Sequence, residues 1–196
     1  MTSQSTLGGG DALIIVDLQN DFLPGGALAV PGGDAVVPVL NQCLRAFGAQ
    51  SLPIFATRDW HPLGHCSFAE RGGPWPPHCV AGTPGAAFAA KLHLPSSAQV
   101  ISKATGTEEE AYSGFQGTDL DARLRALGVQ RLVVGGLATD YCVLRTVLDA
   151  CDLGYQVVVL EDAIRPVEVE PGDGARALAQ MQEAGAHSVQ STALLG

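Results

Sequence analysis

The sequence predicts an α/β fold, an open parallel sheet of about six strands with helices on both faces. Three observations predict it. Short runs rich in β-branched residues alternate with segments of helical apolar period. Several of those runs are continuously apolar, as strands covered on both faces are. A length of 196 residues, 46% of them apolar, suits one compact unit with a sizeable core rather than two domains.

Strands are expected at residues 12–17, 52–57, 99–103, 130–135, 155–161 and, less clearly, 186–189. Between the first two, Val36, Val37, Leu40, Cys43, Leu44 and Phe47 recur at helical spacing, with Asp34 as a cap, Pro38 in the first turn and Gly48 as the stop. Leu120, Leu124 and Leu127 repeat that pattern between Thr118, a cap, and Gly128, a terminator. A third helix is expected over 142–154 and a fourth over 173–185. Right-handed crossovers then give a parallel sheet sandwiched between helices, spanning residues 11–196 behind a loose Gly-Ser-Thr tail at 1–10. Two long connections, 58–98 and 104–117, are rich in Gly and Pro. Long ordered loops are usually functional, although covering a sheet edge is the plainer role.

Eleven Lys and Arg against 20 Asp and Glu leave a net charge of −9, which repels phosphate backbones and argues against a nucleic-acid partner. No apolar run approaches the ~18 residues of a membrane span, and the N-terminus lacks a basic region followed by a hydrophobic segment. Cytoplasmic localisation is therefore expected, with no membrane partner. Only 16% of residues are charged, against roughly 25% in typical soluble domains, so part of the surface is a candidate homo-oligomer interface. Five cysteines, an odd number without framework spacing, point to reduced thiols.

In an open parallel sheet, sites form outside the carboxyl ends of the strands. Nearly every expected strand delivers a reactive side chain there: Asp17, then Arg58 and Asp59, then Lys103, and then Cys142 by way of Thr139 and Asp140. Cys142 stands where a helix begins, and a helix N-terminus stabilises a thiolate. It is a candidate nucleophile, with its own N–H and that of Ala138 as candidate oxyanion donors; the plain alternative is a small buried hydrophobe. No histidine accompanies it at a strand end, so Asp17 is the candidate proton acceptor and Lys103 the cation that steadies the anions. Asp17 as a structural acceptor with Lys103 as its ion-pair partner remains the alternative.

Asp59, His61, His65 and His78 fall in one long connection, and such a mixed carboxylate and imidazole set suits one zinc, manganese or iron(II) ion. Cys66 and Cys79 adjoin them as rival ligands, and polar loop residues without a metal are the other reading. His93 and His187 have no such neighbours, and Glu108, Glu109 and Glu110 form a charge run on a loop. Phe22, Trp60, Trp75 and Tyr112 lie in irregular segments beside the candidate site, where they either floor a pocket for a flat ring or pack the loops onto the sheet.

Five segments carry a resemblance: residues 14–22 (IIVDLQNDF), 58–61 (RDWH), 75–79 (WPPHC), 112–115 (YSGF) and 136–143 (GLATDYCV). In this order and spacing the chain resembles nicotinamidases, also called pyrazinamidases, of the isochorismatase-like cysteine hydrolases. The resemblance implies the parallel α/β sheet, a catalytic triad of Asp17, Lys103 and Cys142, and Asp59, His61, His65 and His78 as ligands of one divalent metal, with Cys66 and Cys79 as bystanders. It implies a cis peptide between Leu137 and Ala138 that aims the Ala138 N–H, with that of Cys142, at the oxyanion. Phe22 and Trp75 would flank the substrate ring, and Tyr112 is placed with them in substrate binding. The implied activity is deamidation of nicotinamide to nicotinate in NAD salvage through a cysteine thioester. Tyr141 departs from some relatives at the position before the cysteine.

Overall fold

The computed structural model describes residues 6–195. Six strands, β1 (Asp11–Val16), β2 (Ile54–Asp59), β3 (Gln99–Lys103), β4 (Arg131–Leu137), β5 (Gln156–Arg165) and β6 (His187–Val189), form one sheet in the order β3-β2-β1-β4-β5-β6. Every pairing is parallel. The chain reverses its direction of winding between β1 and β4, so the central strands open a crevice at their carboxyl ends.

The continuous apolar runs follow from coverage on both sides. Leu13 and Ile15 of β1 face the core that α1 (Val36–Ala49) closes with Leu40, Leu44 and Phe47. Ala12, Ile14 and Val16 face the opposite core, built with α2 (Leu120–Ala126), α3 (Leu144–Asp152) and α4 (Asp173–Glu183) through Leu124, Val147 and Met181. With side chains alternating across a strand, both residue sets must be apolar. Gly136 sits at φ 127 in a register irregularity of β4, and a Cβ there would lie 2.1 Å from the Val16 carbonyl oxygen. Only glycine lets the two central strands approach there.

Of the two expected side-chain caps, one forms and one does not. Asp34 makes no capping bond; a 3-10 turn, Gly33–Ala35, leads into α1, which runs through Gly48 to Ala49. Thr118 Oγ1 does receive the Leu120 N–H at 3.3 Å, and Gly128 closes α2 at φ 68. The helix expected from residue 142 opens instead as a π-turn, Thr139–Val143, and becomes α-helical only at Leu144. A short α5 (Thr192–Leu195), outside the expected elements, follows β6.

Residues 1–5 of the expected tail lie outside the described residues. Residues 6–10 are tied down: Gly10 O receives the Gln130 and Arg131 N–H groups at 2.8 and 3.0 Å, and Thr6 O receives an Arg131 guanidinium N–H at 2.8 Å. Arg131 also donates through Nε to Asp11 Oδ1 at 2.7 Å, both residues being nearly buried. Truncating one partner of such a pair leaves the other charge desolvated. Arg131→Met is therefore expected to lower the unfolding free energy by about 3 kcal/mol, read from urea midpoints; a loss below about 0.5 kcal/mol would show the pair to be a surface ornament. Among the described residues no helix is long and apolar enough to cross a membrane.

The long connections fold over the strand ends. Buried Gln19 spans them: its amide N donates to Asp59 O at 2.8 Å and Ala86 O at 2.9 Å, and its Oε1 receives the Asp59 N–H at 2.8 Å. One side chain thereby fixes the end of β2 against the segment after β1.

Candidate active site

At the carboxyl end of β1 the chain turns at Asp17, whose φ is +45, and the carboxylate points into the crevice fully buried. Thr57 of β2 donates its hydroxyl to Asp17 Oδ1 at 2.7 Å. Lys103, the last residue of β3, reaches across beneath β2: its Nζ lies 2.9 Å from Asp17 Oδ2, 2.5 Å from Asp59 Oδ1 and 3.5 Å from Cys142 Sγ, and it donates to Ala111 O at 3.0 Å. Asp17, Asp59 and Cys142 each place a ligand-type atom within 4.8 Å of the others. Three strands and one turn thus bring together groups that lie far apart in sequence. Asp17 Oδ2 touches Lys103 without an aligned hydrogen bond, leaving a lone pair open toward the thiol.

Burial sets the electrostatics, and it revises one expectation. The Cys142 thiol is pushed well up by burial and by the neighbouring Asp17 and Asp59 carboxylates, and the Lys103 ammonium pulls it only part of the way back. Desolvation of the sulfur thus opposes the stabilisation expected of a helix N-terminus, and the turn that carries it is not yet α-helical. Burial also raises Asp17, against the opposing pull of Lys103. Burial by itself would lower Lys103, but Asp17 and Asp59 outweigh it and hold the amine protonated. For Asp59 burial is again the largest influence and upward, yet the charge beside it, the Lys103 ammonium foremost, holds the carboxyl well below the usual carboxylate range. The cluster is a protonated thiol beside a carboxylate of raised basicity, with one ammonium neutralising part of the two negative charges. Such a carboxylate can take the thiol proton when the sulfur attacks.

Three of the four expected metal ligands converge. Asp59, His61 and His78 place ligand atoms within 4.8 Å of one another, all buried. His61 Nδ1 faces the Ala104 carbonyl at 3.4 Å and His78 Nδ1 the Pro76 carbonyl at 2.8 Å. A carbonyl only accepts, so each ring carries its proton on Nδ1 and presents the Nε2 lone pair. His61 Nε2 is buried without a hydrogen-bond partner, 3.7 Å from Asp59 Oδ2. An orphaned imidazole lone pair beside a carboxylate and a second imidazole is a donor set that suits a divalent cation.

His65, expected as the fourth ligand, does not join them. Its ring lies against His61, with centroids 4.2 Å apart, but Nε2 donates to Glu109 O at 3.0 Å and Nδ1 receives from Ser67 Oγ at 2.7 Å. Both nitrogens are committed, so no lone pair is left for an ion. Of the rival sulfur ligands, Cys79 is buried in the apolar core with its thiol pushed up by burial, and Cys66 belongs to no ligand cluster among the described residues.

Beside these groups a narrow cleft opens to solvent, lined by Phe22, Trp75 and Tyr112 together with Ala138 and Cys142. Trp75 Nε1 donates to Tyr112 OH at 3.0 Å, and both rings meet Tyr141 edge-on or tilted, at 5.1 and 5.7 Å. The Leu137–Ala138 peptide is cis. Trp60 is not in the wall; the Arg58 guanidinium stacks on its ring at 3.7 Å. Leu28, Val30, Glu110, Tyr141 and Val167 also line the cleft. Tyr141, which precedes Cys142 and departs there from some relatives, is thus a wall residue of the cleft. Leu28, Val30 and Val167 come from remote loops without a local chemical signal.

The family model for the isochorismatase domain matches residues 11–193. The chain belongs to the isochorismatase family. Within it, the nicotinamidase of Escherichia coli (strain K12) is 42% identical over 196 residues, covering 89% of this chain and 92% of that protein. The nicotinamidase/pyrazinamidase of Mycobacterium tuberculosis (strain H37Rv) is 42% identical over 167 residues, covering 81% and 88%. The crystal structure of the pyrazinamidase of Pyrococcus horikoshii in complex with zinc is 52% identical and superposes with a TM-score of 0.89 over 92% of this chain and 99% of that one. The six-stranded parallel sheet is accordingly the isochorismatase fold.

Proposed function

We propose that this isochorismatase-family chain is a hydrolase that converts nicotinamide to nicotinate and ammonia, and pyrazinamide to pyrazinoate, through a cysteine thioester, as a step in NAD salvage. The observation that carries the reading is the meeting of Asp17 and Lys103 with Cys142, which lines an aromatic cleft whose wall also holds Asp59, His61 and His78. Relatives named nicotinamidase and pyrazinamidase support the substrate class.

In this reading Asp17 accepts the Cys142 proton as the sulfur attacks the carboxamide carbon, and the N–H groups of Ala138 and Cys142 donate to the oxyanion. Asp17 returns that proton to the departing nitrogen, and ammonia leaves the thioester. The same carboxylate then takes a proton from water, whose oxygen displaces the sulfur, and nicotinate departs with the thiol restored. Lys103 remains protonated throughout and fixes the orientation of Asp17. Phe22 and Trp75 sandwich the ring, with Tyr112 holding Trp75 through its hydroxyl. Asp59, His61 and His78 would hold one divalent ion, zinc, iron(II) or manganese, which when bound supplies a coordination point for the ring nitrogen. Reduced thiols and a net charge of −9 fit a cytoplasmic enzyme, and a homo-oligomer would account for the low charged fraction.

Ammonia release measured on nicotinamide, pyrazinamide and carbamoyl compounds tests the substrate. Turnover of the ring amides with little on the carbamoyl compounds is expected; the reverse preference would make the chain another small-amide hydrolase of the family. Metal retention has its own test. His61→Ala is expected to weaken it by at least ~100-fold, read as metal per chain after dialysis. Equal metal content in parent and variant would remove His61 from the site.

A further inference from the structure

Asp140 has no role in the chemistry above, yet it is placed to govern it. It stands half-buried in the π-turn, two residues before Cys142. Its Oδ1 receives the Val167 N–H at 2.8 Å and its Oδ2 the Glu168 N–H at 2.9 Å. Val167 is a wall residue of the cleft, on the loop that leaves β5 for α4. The far side of that loop is anchored by Glu168, at φ 58, whose carboxylate receives the Gly172 and Gly174 N–H groups at 3.0 and 2.9 Å. The loop thus hangs between two carboxylates, one belonging to the nucleophile's own turn.

The geometry points to Asp140 as a positioning residue for substrate: by suspending Val167 from the turn that carries Cys142, it sets the distance between the cleft wall and the attacking sulfur. The two adjacent backbone N–H groups each have an oxygen of their own, an arrangement that a carboxylate, with two accepting oxygens and no hydrogens, satisfies in full. Asparagine would set an NH₂ group against one of the two donors. A wall that slackens loses contact with the bound ring in the ground and transition states alike, so binding suffers before the chemical step does. The identity of the ring rests on the proposed function; the suspension of the wall does not.

The test combines kinetics with labelling. Asp140→Asn is expected to raise the nicotinamide KM roughly 5- to 10-fold while kcat changes less than about threefold. Iodoacetamide labelling of Cys142, followed by peptide mass spectrometry, should become several-fold faster as the wall opens. Val167→Ala, which leaves the turn intact, should raise KM on its own. In a Val167→Gly background, Asp140→Asn should add less than about twofold, because the side chain it positions is gone. A full Asp140→Asn effect in that background, a kcat loss with unchanged KM, or unchanged labelling would overturn the proposal. If the parent chain releases no ammonia from nicotinamide, the proposed function fails while the labelling comparison still decides the role of Asp140.

Discussion

Cys142→Ala is expected to lower kcat for nicotinamide by at least ~10⁴-fold, equivalent to about 5.4 kcal/mol of transition-state stabilisation. The size follows from what is lost. Without the sulfur no thioester forms, and Asp17 can act only on water in a cleft shaped for a covalent intermediate. The other thiols are internal controls: Cys43 is fully buried on α1 and Cys151 is half-buried near the end of α3, both away from the cleft. Cys43→Ala and Cys151→Ala should retain most turnover. Steady-state ammonia release by the three variants separates covalent catalysis from a thiol-sensing role, in which all three would lose activity together.

Lys103→Met should do more damage to the fold than any other change at the site. The ammonium is the sole cation in contact with Asp17 and Asp59 among the described residues, and all three groups are buried. Removing it leaves two carboxylates facing one another in a low dielectric, at a cost of roughly 3–5 kcal/mol. The pH dependence has a definite sign. Asp17 is already raised above its ordinary value by burial, and without Lys103 it rises further. A carboxyl whose folded value exceeds its unfolded one contributes stability that is fully present below the unfolded value and is lost as the pH climbs through the folded one. The variant should therefore be closest to the parent near pH 4–5 and fall behind toward neutrality, as urea unfolding across pH would show. A gap that widens on acidification would contradict this account, as would a loss under about 1 kcal/mol at pH 7.5.

The strands and the meeting of Asp17, Lys103 and Cys142 were legible because both depend on periodicity and strand-end position. β3 coincides with expectation, whereas β1 stops at Val16 because Asp17 has already turned to φ 45 to aim its carboxylate inward. Propensity has no access to that twist. Asp34 looked like a cap by type and position, but the chain enters α1 through a 3-10 turn that satisfies its own backbone. A helix terminus read from sequence favours a thiolate at Cys142, but desolvation, a property of three-dimensional enclosure, pushes the thiol the other way. His65 shows the same limit: spacing brought it near His61, and only the partners of its two nitrogens show that it faces Ser67 and Glu109. The cleft walls at Leu28, Val30 and Val167 are supplied by loops whose destinations are set by packing rather than by their own residues.

The pairing of β1 with β4 has a bearing on how the chain matures during synthesis. Asp11 is registered against Arg131 and Val16 against Gly136, so the strand that ends at Asp17 waits for its central neighbour until most of the polypeptide has left the ribosome. Closing so long a span is slow, and until then a run of valine, leucine and isoleucine stands with one edge bare. Nascent chains of this protein are thus most exposed to chaperones and proteases in the interval between the emergence of β3 and that of β4.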